Sequence, residues 1–173
     1  MTSNLIPDLF HILKSHFGDA VIQSHLSTDL LNIEIQPESV KEILLFLKKH
    51  PDYDVNFLTL LGAVHYPEQE NRNFAIVYHL HSWSKNIRFR IKAFLPETNP
   101  TIDSVVTIYP CANWMERETY DFYGIHFNDH PNLKRILNED DMDYFPMRKE
   151  YALEDQSRED KDDRYFGRTQ HNR

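Results

Sequence analysis

The stretch FAIVYHLHSWSKNIRFRIKAFL, residues 74–95, decides the fold of this 173-residue chain. Apolar and polar side chains alternate in residues 74–81 and 87–95, and a polar turn at residues 82–86 separates the two segments. This pattern predicts two antiparallel β-strands joined as a hairpin. In the second strand, positions 87, 89, 91 and 93 are apolar, whereas positions 88, 90 and 92 are basic. One face of the hairpin is therefore predicted to lie in the core, and the other to be basic.

The residues before this hairpin predict two helices and three further strands. Residues 4–17 place apolar side chains three and four positions apart and are followed by Gly18, which favours a helix with a left-handed end. Residues 21–26 and 30–35 alternate around a turn, which predicts another hairpin. Residues 37–49 carry one apolar stripe and predict a second helix. Residues 56–66 form a nearly continuous apolar run, which predicts a strand at the centre of the sheet with both faces covered.

A third helix is predicted at residues 114–123, with Asn113 as its N-cap, Glu116 bonding back to the cap, and Gly124 as its end. The order of elements is helix-strand-strand-helix-strand-strand-strand-helix. This order predicts an α+β fold of two layers, in which the helices pack on a mixed, mostly antiparallel sheet. We assign residues 1–124 to this compact domain.

Residues 125–173 differ from the rest of the chain in their pattern of apolar and charged residues. They show no sustained helical or strand period, and residues 139–163 contain eleven acidic against four basic side chains. Apolar side chains occur there only at irregular intervals, too sparsely to form a core. The sequence therefore predicts an extended acidic C-terminal tail that wraps along a partner protein, with the role of its residues 152–163 left open.

Composition excludes several classes of protein. The 19 basic and 27 acidic residues give a net charge of −8, which argues against binding to nucleic acid. The four glycines are too far apart for a nucleotide-binding loop. Cys111 is the only cysteine, so the chain cannot form an internal disulfide or supply the roughly four ligands of an iron–sulfur cluster, and we expect a buried thiol. No apolar run approaches the roughly 18 residues that cross a bilayer, and a cytosolic-side location is expected.

Histidines raise the question of a metal site. His79 and His81 would share one strand face, with His65 on a neighbouring strand, but no further ligand can be recognised. Strand histidines are more often surface residues or hydrogen-bonded ones, so no metal site is predicted. For His126 and His130, which flank Asp129, a turn is the favoured interpretation.

The third helix carries a cluster of charges. Glu116, Glu118 and Asp121 would suit acid–base chemistry if burial separated their pKa values. The alternative is a capping carboxylate plus an ion pair, and this interpretation is favoured for a short charged helix. For Arg117 and Asp121, an ion pair within the helix and contact with a partner are both left open.

Three segments together carry a resemblance to a known family: ERETYDFYGIHF at residues 116–127, HPNLKRIL at 130–137 and PMRKEY at 146–151. They resemble the signature of the thirty-kilodalton subunit, also called the C subunit, of respiratory complex I, in which E-R-E-x-x-D-x-x-G-I-x-F-x-x-H-P-x-L-x-R-I-L is followed by P-L-R-K-D-Y. AVHYP at 63–67 and NIRFRIK at 86–92 are also similar, so the resemblance spans roughly residues 5–151. Asp129 departs from the family's usual glycine, and residues 141–145 replace an Asp-Trp-x-Gly-His stretch.

The resemblance implies a subunit of the proton-translocating NADH:quinone oxidoreductase, in its peripheral arm on the cytoplasmic side of the bacterial cell membrane. In that family the thirty-kilodalton subunit has a structural role next to the D-type and B-type subunits of the quinone module. It binds no flavin, iron–sulfur cluster or quinone and has no catalytic residues, so the flavin and clusters are expected in partner subunits. An equivalent subunit of a related membrane-bound hydrogenase-type complex and, less favoured, a stand-alone acid–base enzyme are the alternatives.

The resemblance also implies which side chains meet the partners. Arginine and lysine can bind partner carboxylates, and aromatic side chains can act as apolar anchors. The implied partner-interface residues are Trp114, Glu116, Arg117, Asp121, His130, Pro131, Arg135, Arg148, Lys149 and Tyr151.

Overall fold

The computed structural model describes the backbone of residues 5–27 and 30–151. In these residues the helices and strands follow one another in the order α1 (Leu5–Phe17), β1 (Val21–Ser27), β2 (Leu30–Ile35), α2 (Val40–Lys49), β3 (Phe57–His65), β4 (Phe74–Ser82), β5 (Ile87–Leu95), β6 (Thr101–Asp103), α3 (Ala112–Tyr123) and β7 (His126–Asn128). Short 3₁₀ turns at Gly18–Ala20 and Pro37–Ser39 precede β1 and α2.

Five strands form one mixed sheet in the order β1-β2-β5-β4-β3. Neighbouring strands are antiparallel except β2 and β5, which run parallel with Leu31 opposite Phe89. The predicted α+β fold with a mixed, mostly antiparallel sheet is therefore confirmed. The parallel pair β6–β7 was not predicted, because each strand has only three residues and is too short to show an alternating pattern.

The three helices cover one face of the sheet. On this face the ring of Phe74 lies 6.4 Å from that of Tyr123 in α3, and the Leu61 N–H contacts Sδ of Met115 at 3.2 Å. The predicted apolar stripe of α2 is fully buried in the same core. Each such buried aliphatic or aromatic side chain contributes about 1.5–3 kcal/mol relative to an exposed one. The largest fully buried side chains include Tyr53, Tyr78, Phe74, Phe89 and Phe127.

Strand β3 lies at the edge of the sheet, so its predicted central position is wrong. Its side chains toward the helices, such as Leu58 and Leu61, are buried, but Phe57, Leu60 and Val64 on the opposite side are 42%, 50% and 37% exposed. An apolar run therefore does not distinguish a central strand from an edge strand that exposes one apolar face. The exposed half of β3 is instead an apolar margin of the sheet.

The face of the sheet opposite the helices is called the outer face below. Its centre is the predicted basic side of β5, where Arg88 is exposed and Arg90 and Lys92 are half-buried. Glu34 on β2 also points to this side and is nevertheless buried, because Arg72 donates to its two oxygens at 2.6 and 3.1 Å. Hydrogen bonding from Arg72 outweighs burial and lowers the pKa of Glu34.

The segment directly after residue 124 packs on the domain. Ile125 and Phe127 are buried, and β7 pairs with β6 in parallel register. From there to Tyr151 the chain follows an irregular path held by bonds to α3, which are described below. The predicted tail of residues 125–173 therefore begins as part of the folded body, and its residues 152–173 lie outside the described residues.

Candidate functional site

Helix α3 positions the charged residues that the sequence singles out. It begins at Ala112, and Cys111 occupies the N-cap position without a side-chain cap bond. The predicted N-cap, Asn113, is therefore wrong: it lies inside the first turn. The predicted end is confirmed, since Gly124 has a φ of +74° and its N–H bonds the Tyr120 carbonyl oxygen at 2.8 Å. Cys111 is exposed, so the expectation of a buried thiol is also wrong.

Glu116 lies fully buried between α3 and the loop after β6. Its Oε1 accepts the Val105 N–H at 2.7 Å, and its Oε2 lies 2.6 Å from Oγ of Ser104. Glu116 thus ties α3 to residues 104–105, and the predicted bond from Glu116 back to the helix start is wrong. Burial raises the pKa of Glu116 to about 7, although the bonds from Ser104 and Val105 oppose this shift.

His130 packs beside Glu116, with Nε2 3.9 Å from Oε2 of the carboxyl group. Its Nδ1 accepts the Asn132 N–H at 3.0 Å, so the ring proton is on Nε2, which lies 3.2 Å from the Asn113 carbonyl oxygen. Burial lowers the pKa of His130. The histidine is therefore a neutral ring that closes the turn after β7, as the turn interpretation expected. The preceding residue, Asp129, has a φ of +60°, a conformation that favours glycine.

We expect Glu116→Gln to change how stability depends on pH. Between pH 4.5 and 7 the folded protein holds a proton on Glu116 that the unfolded chain releases, so this group makes the wild type less stable as pH rises. Glutamine imitates the protonated form. The free energy of unfolding of the variant minus that of the wild type should therefore rise by about 2–3 kcal/mol between pH 5 and pH 8.

Urea unfolding at several pH values measures this difference, and the shared histidine contributions cancel in it. Glu118→Gln is the matched control, because Glu118 is exposed on the same helix and should follow the wild type. A constant difference between Glu116→Gln and wild type over this range would contradict the assignment.

Asp121 is the second buried carboxylate of α3. Its oxygens accept the backbone N–H groups of Ile136, Leu137 and Asn138 at 2.8–3.0 Å and the Arg135 guanidinium at 2.9 Å. Burial alone would raise the pKa of Asp121, but the bonds from Asn138, Leu137 and Arg135 outweigh it and hold the pKa well below its usual range. Asp121 therefore fixes the path of residues 135–138 against α3.

Arg117 and Asp121 do not pair with each other, so the ion pair considered for these two residues is not formed. Arg117 donates to the carbonyl oxygens of Lys134 and Arg135 at 3.1 and 3.2 Å, and its guanidinium lies 5.1 Å from the ring of Trp114. The two side chains of one helix thus hold the same loop from two positions.

The segment after residue 144 is fastened to α3 and to the sheet. Arg148 donates to the Tyr123 carbonyl oxygen at 2.8 Å, and its guanidinium lies 5.1 Å from the rings of Phe74 and Phe145. The Lys149 N–H donates to Nδ1 of buried His65 at 3.0 Å. His65, considered above as a metal candidate, thus serves to anchor the chain.

The ten implied partner-interface residues fall into two groups. The side chains of Glu116, Asp121, His130 and Arg135 are buried and bonded within the chain. Arg117 and Arg148 are half-buried, and the exposed members are Trp114, Pro131, Lys149 and Tyr151. Their contact with partners stays a prediction. Sequence reasoning missed Ser104, for which no motif gave a signal.

Five large apolar side chains of this region are exposed, among charged ones. Trp114 and Leu137 are 64% and 65% exposed, and Tyr144, Met147 and Tyr151 are about 40% exposed. The rings of Tyr144 and Tyr151 lie 5.0 Å apart. These five side chains are called the apolar anchors below. Large apolar groups on ordered backbone are typical of surfaces that bind another protein.

Two further kinds of site were sought in the described residues. There, no three His, Cys, Asp or Glu side chains lie close enough together to hold a metal ion. The helices of the same residues are too short and too polar to cross a membrane. The carboxylates of α3 do not converge on a common point either, since Glu116 and Asp121 have separate partners and Glu118 is exposed.

Comparison with known proteins identifies the family. Residues 33–157 match the model of the family "Respiratory-chain NADH dehydrogenase, 30 Kd subunit". The C subunit of NADH-quinone oxidoreductase from Parvibaculum lavamentivorans is 39% identical over 83% of this chain and 70% of its own length. The corresponding C subunit from Citrifermentans bemidjiense is 40% identical over 85% of this chain and 89% of its own length.

Solved structures agree. A trypsin-resistant fragment (1–134) of Nqo5 is 28% identical with a TM-score of 0.61, covering 72% of this chain and 98% of the fragment. A chain of an archaeal membrane-bound sulfane sulfur reductase shares the fold at 20% identity and a TM-score of 0.69, over 85% of each chain. The resemblance carried by residues 116–151 is thereby confirmed. The chain belongs to the family of the 30 kDa subunit of respiratory-chain NADH dehydrogenase, whose relatives named above are C subunits of NADH-quinone oxidoreductase.

Proposed function

We propose that the chain is a structural, non-redox subunit in the peripheral arm of a proton-translocating NADH:quinone oxidoreductase, on the cytoplasmic side of the bacterial membrane. It docks on the D-type and B-type subunits of the quinone module, and the chain after residue 151 wraps along them. Flavin and iron–sulfur clusters belong to the partner subunits, and this chain binds neither these groups nor quinone. The names of the relatives favour this complex over a hydrogenase-type one.

One observation carries the proposal: Arg117, Asp121 and Arg135 make their bonds within the chain, and the apolar anchors are left exposed. Asp121, Arg135 and Arg117 bond to each other or to backbone groups of residues 134–144. A catalytic role would need such groups to face a substrate. Here their bonds shape a surface, and that surface presents large apolar side chains suited to a protein partner.

The test is a variant without two of the apolar anchors, Trp114→Ala/Tyr151→Ala. We expect its association with the partner subunits to weaken at least about tenfold, which corresponds to about 1.4 kcal/mol. Both side chains are exposed, so the free energy of unfolding of the isolated subunit should change by no more than about 0.5 kcal/mol. Capture of the tagged subunit from solubilised membranes, with quantified partner subunits, measures the association.

Trp83→Ala is the matched control, because Trp83 is 66% exposed but lies in the β4–β5 turn. It should leave capture unchanged, and NADH:quinone turnover per captured complex should equal that of wild type for both variants. Full assembly with slow turnover would contradict a structural role, and an equal loss with Trp83→Ala would contradict the position of the docking surface.

A further inference from the structure

The outer face carries a row of cations along β5: Arg88, Arg90 and Lys92. Alternate residues of a strand lie about 6.6 Å apart, so this basic row is about 13 Å long. Among the described residues none of the three forms an ion pair. Arg90 donates to Nδ1 of His79, a neutral acceptor, at 3.4 Å.

The neighbours of the basic row do not offset its charge. Glu34 on β2 lies opposite Lys92, but both of its oxygens accept bonds from Arg72, and Oε2 also accepts one from Gln23 at 2.9 Å. Burial together with the charges of Arg90 and Lys92 lowers the pKa of His79, in agreement with a positive potential at this face. The row is therefore an attractive site for several carboxylates in sequence.

The side chain of Lys149, two positions before the last described residue, lies near one end of the basic row. Nζ of Lys149 lies 5.7 Å from the ring centre of Tyr66, and the Tyr66 ring lies 6.3 Å from that of Phe94. Phe94 follows Lys92 by two positions on β5 and shares the outer face with it. The Lys149 ammonium therefore lies near the Phe94 end of the row, and the Lys149 N–H is bonded to His65.

The sequence that follows is complementary in charge. Residues 154–163, EDQSREDKDD, contain six acidic and two basic side chains. Residues 148–151 form a turn closed by the Tyr151 N–H on the Arg148 carbonyl oxygen at 3.1 Å, so the reach is counted from Tyr151. The twelve positions from 151 to 163 span up to about 40 Å when extended, which is about three times the length of the row. Because the two groups belong to one chain, their effective concentration is in the millimolar range, and weak ion pairs then suffice.

We propose that, in the unassembled subunit, the acidic residues 154–163 lie along the basic row of Arg88, Arg90 and Lys92 on the outer face. The contact is intramolecular and goes beyond the proposed function. It keeps the segment on its own subunit until a partner takes it up, because the same residues cannot bind the sheet and wrap a partner at once.

Zero-length carbodiimide cross-linking of the full-length isolated chain, mapped by mass spectrometry, tests this contact. We expect a link between Lys92 and a carboxylate of residues 154–163. It should fall severalfold in 1 M salt, where the Debye length is about 3 Å. Lys49 is the matched control, because it is more exposed than Lys92 but lies on α2, on the other side of the sheet, and should give few such links.

Two variants show whether charge causes the link. Asp160→Asn/Asp162→Asn/Asp163→Asn leaves the sheet untouched, and Arg88→Glu changes an exposed side chain. Each should reduce the Lys92 link severalfold at unchanged thermal stability. Equal linking of Lys49 and Lys92 would overturn the proposal. So would links that, in a mixture of isotope-labelled and unlabelled protein, form only between two different molecules. Protection of Lys92 only in the assembled complex would also overturn it, in favour of a partner on this face.

Discussion

Asp121→Ala is expected to lower the free energy of unfolding by about 3–5 kcal/mol, because it removes one partner of a buried, hydrogen-bonded ion pair. The Arg135 guanidinium would lose its carboxylate, and the N–H groups of residues 136–138 would lose their acceptor. Since the folded-state pKa of Asp121 is depressed, its contribution is present above the usual pKa of an aspartate and is lost as pH falls through the folded value.

Urea unfolding at pH 7 measures the loss, and limited proteolysis between residues 129 and 151 reports whether the loop has detached. Glu118→Ala is the control on the same helix, because Glu118 is exposed and its removal should cost no more than about 0.5 kcal/mol. A small loss for Asp121→Ala, or proteolysis rates equal to those of wild type, would show that the loop is held by other contacts.

Gly124→Ala is expected to cost about 2–5 kcal/mol for two separate reasons. At a φ of +74° an L side chain is disfavoured by about 1–2 kcal/mol. The added Cβ would also lie 2.7 and 2.8 Å from Cδ2 and Cζ of Phe145, so the ring would have to move, at a further cost of about 1–3 kcal/mol.

Gly18→Ala separates the two reasons. Gly18 has a φ of +56°, but nothing lies within 4 Å of its added Cβ, so only the backbone cost of about 1–2 kcal/mol applies. Thermal and urea unfolding compare the two variants, and Phe145→Ala should remove part of the Gly124→Ala loss when the two are combined. Equal losses at the two glycines would show that Phe145 yields without cost.

The sequence predicts those helices and strands whose apolar pattern repeats over many residues. The α2 stripe and the alternation at residues 87–95 repeat often enough to reveal one buried face. Tertiary partners decide the rest. Nothing in residues 56–66 tells an edge strand from a central one, and Glu116 fits the spacing of a capping box although its actual partners, Ser104 and Val105, belong to a loop about a dozen residues away.

The sequence predicted which residues belong to the candidate site better than it predicted their contacts. The resemblance pointed to ten residues between Trp114 and Tyr151. It did not separate the buried residues, which hold the loop in place, from the exposed residues, which can contact a partner. Asp121 and Arg135 are buried because a loop of no regular structure needs internal acceptors and donors for its backbone groups. Trp114 remains 64% exposed, with the Arg117 guanidinium 5.1 Å from its ring.

The carboxylate of Asp121 accepts three consecutive N–H groups and so fixes the backbone of the loop before any partner binds. Ordering a backbone residue costs about 1–2 kcal/mol of conformational entropy. Residues 136–138 lose this entropy when the chain folds, so it is not lost again when a partner binds. The surface beside α3 is therefore pre-organised. Rigid docking of this kind converts more of the contact energy into affinity, and the rate of complex formation is then set by encounter and orientation.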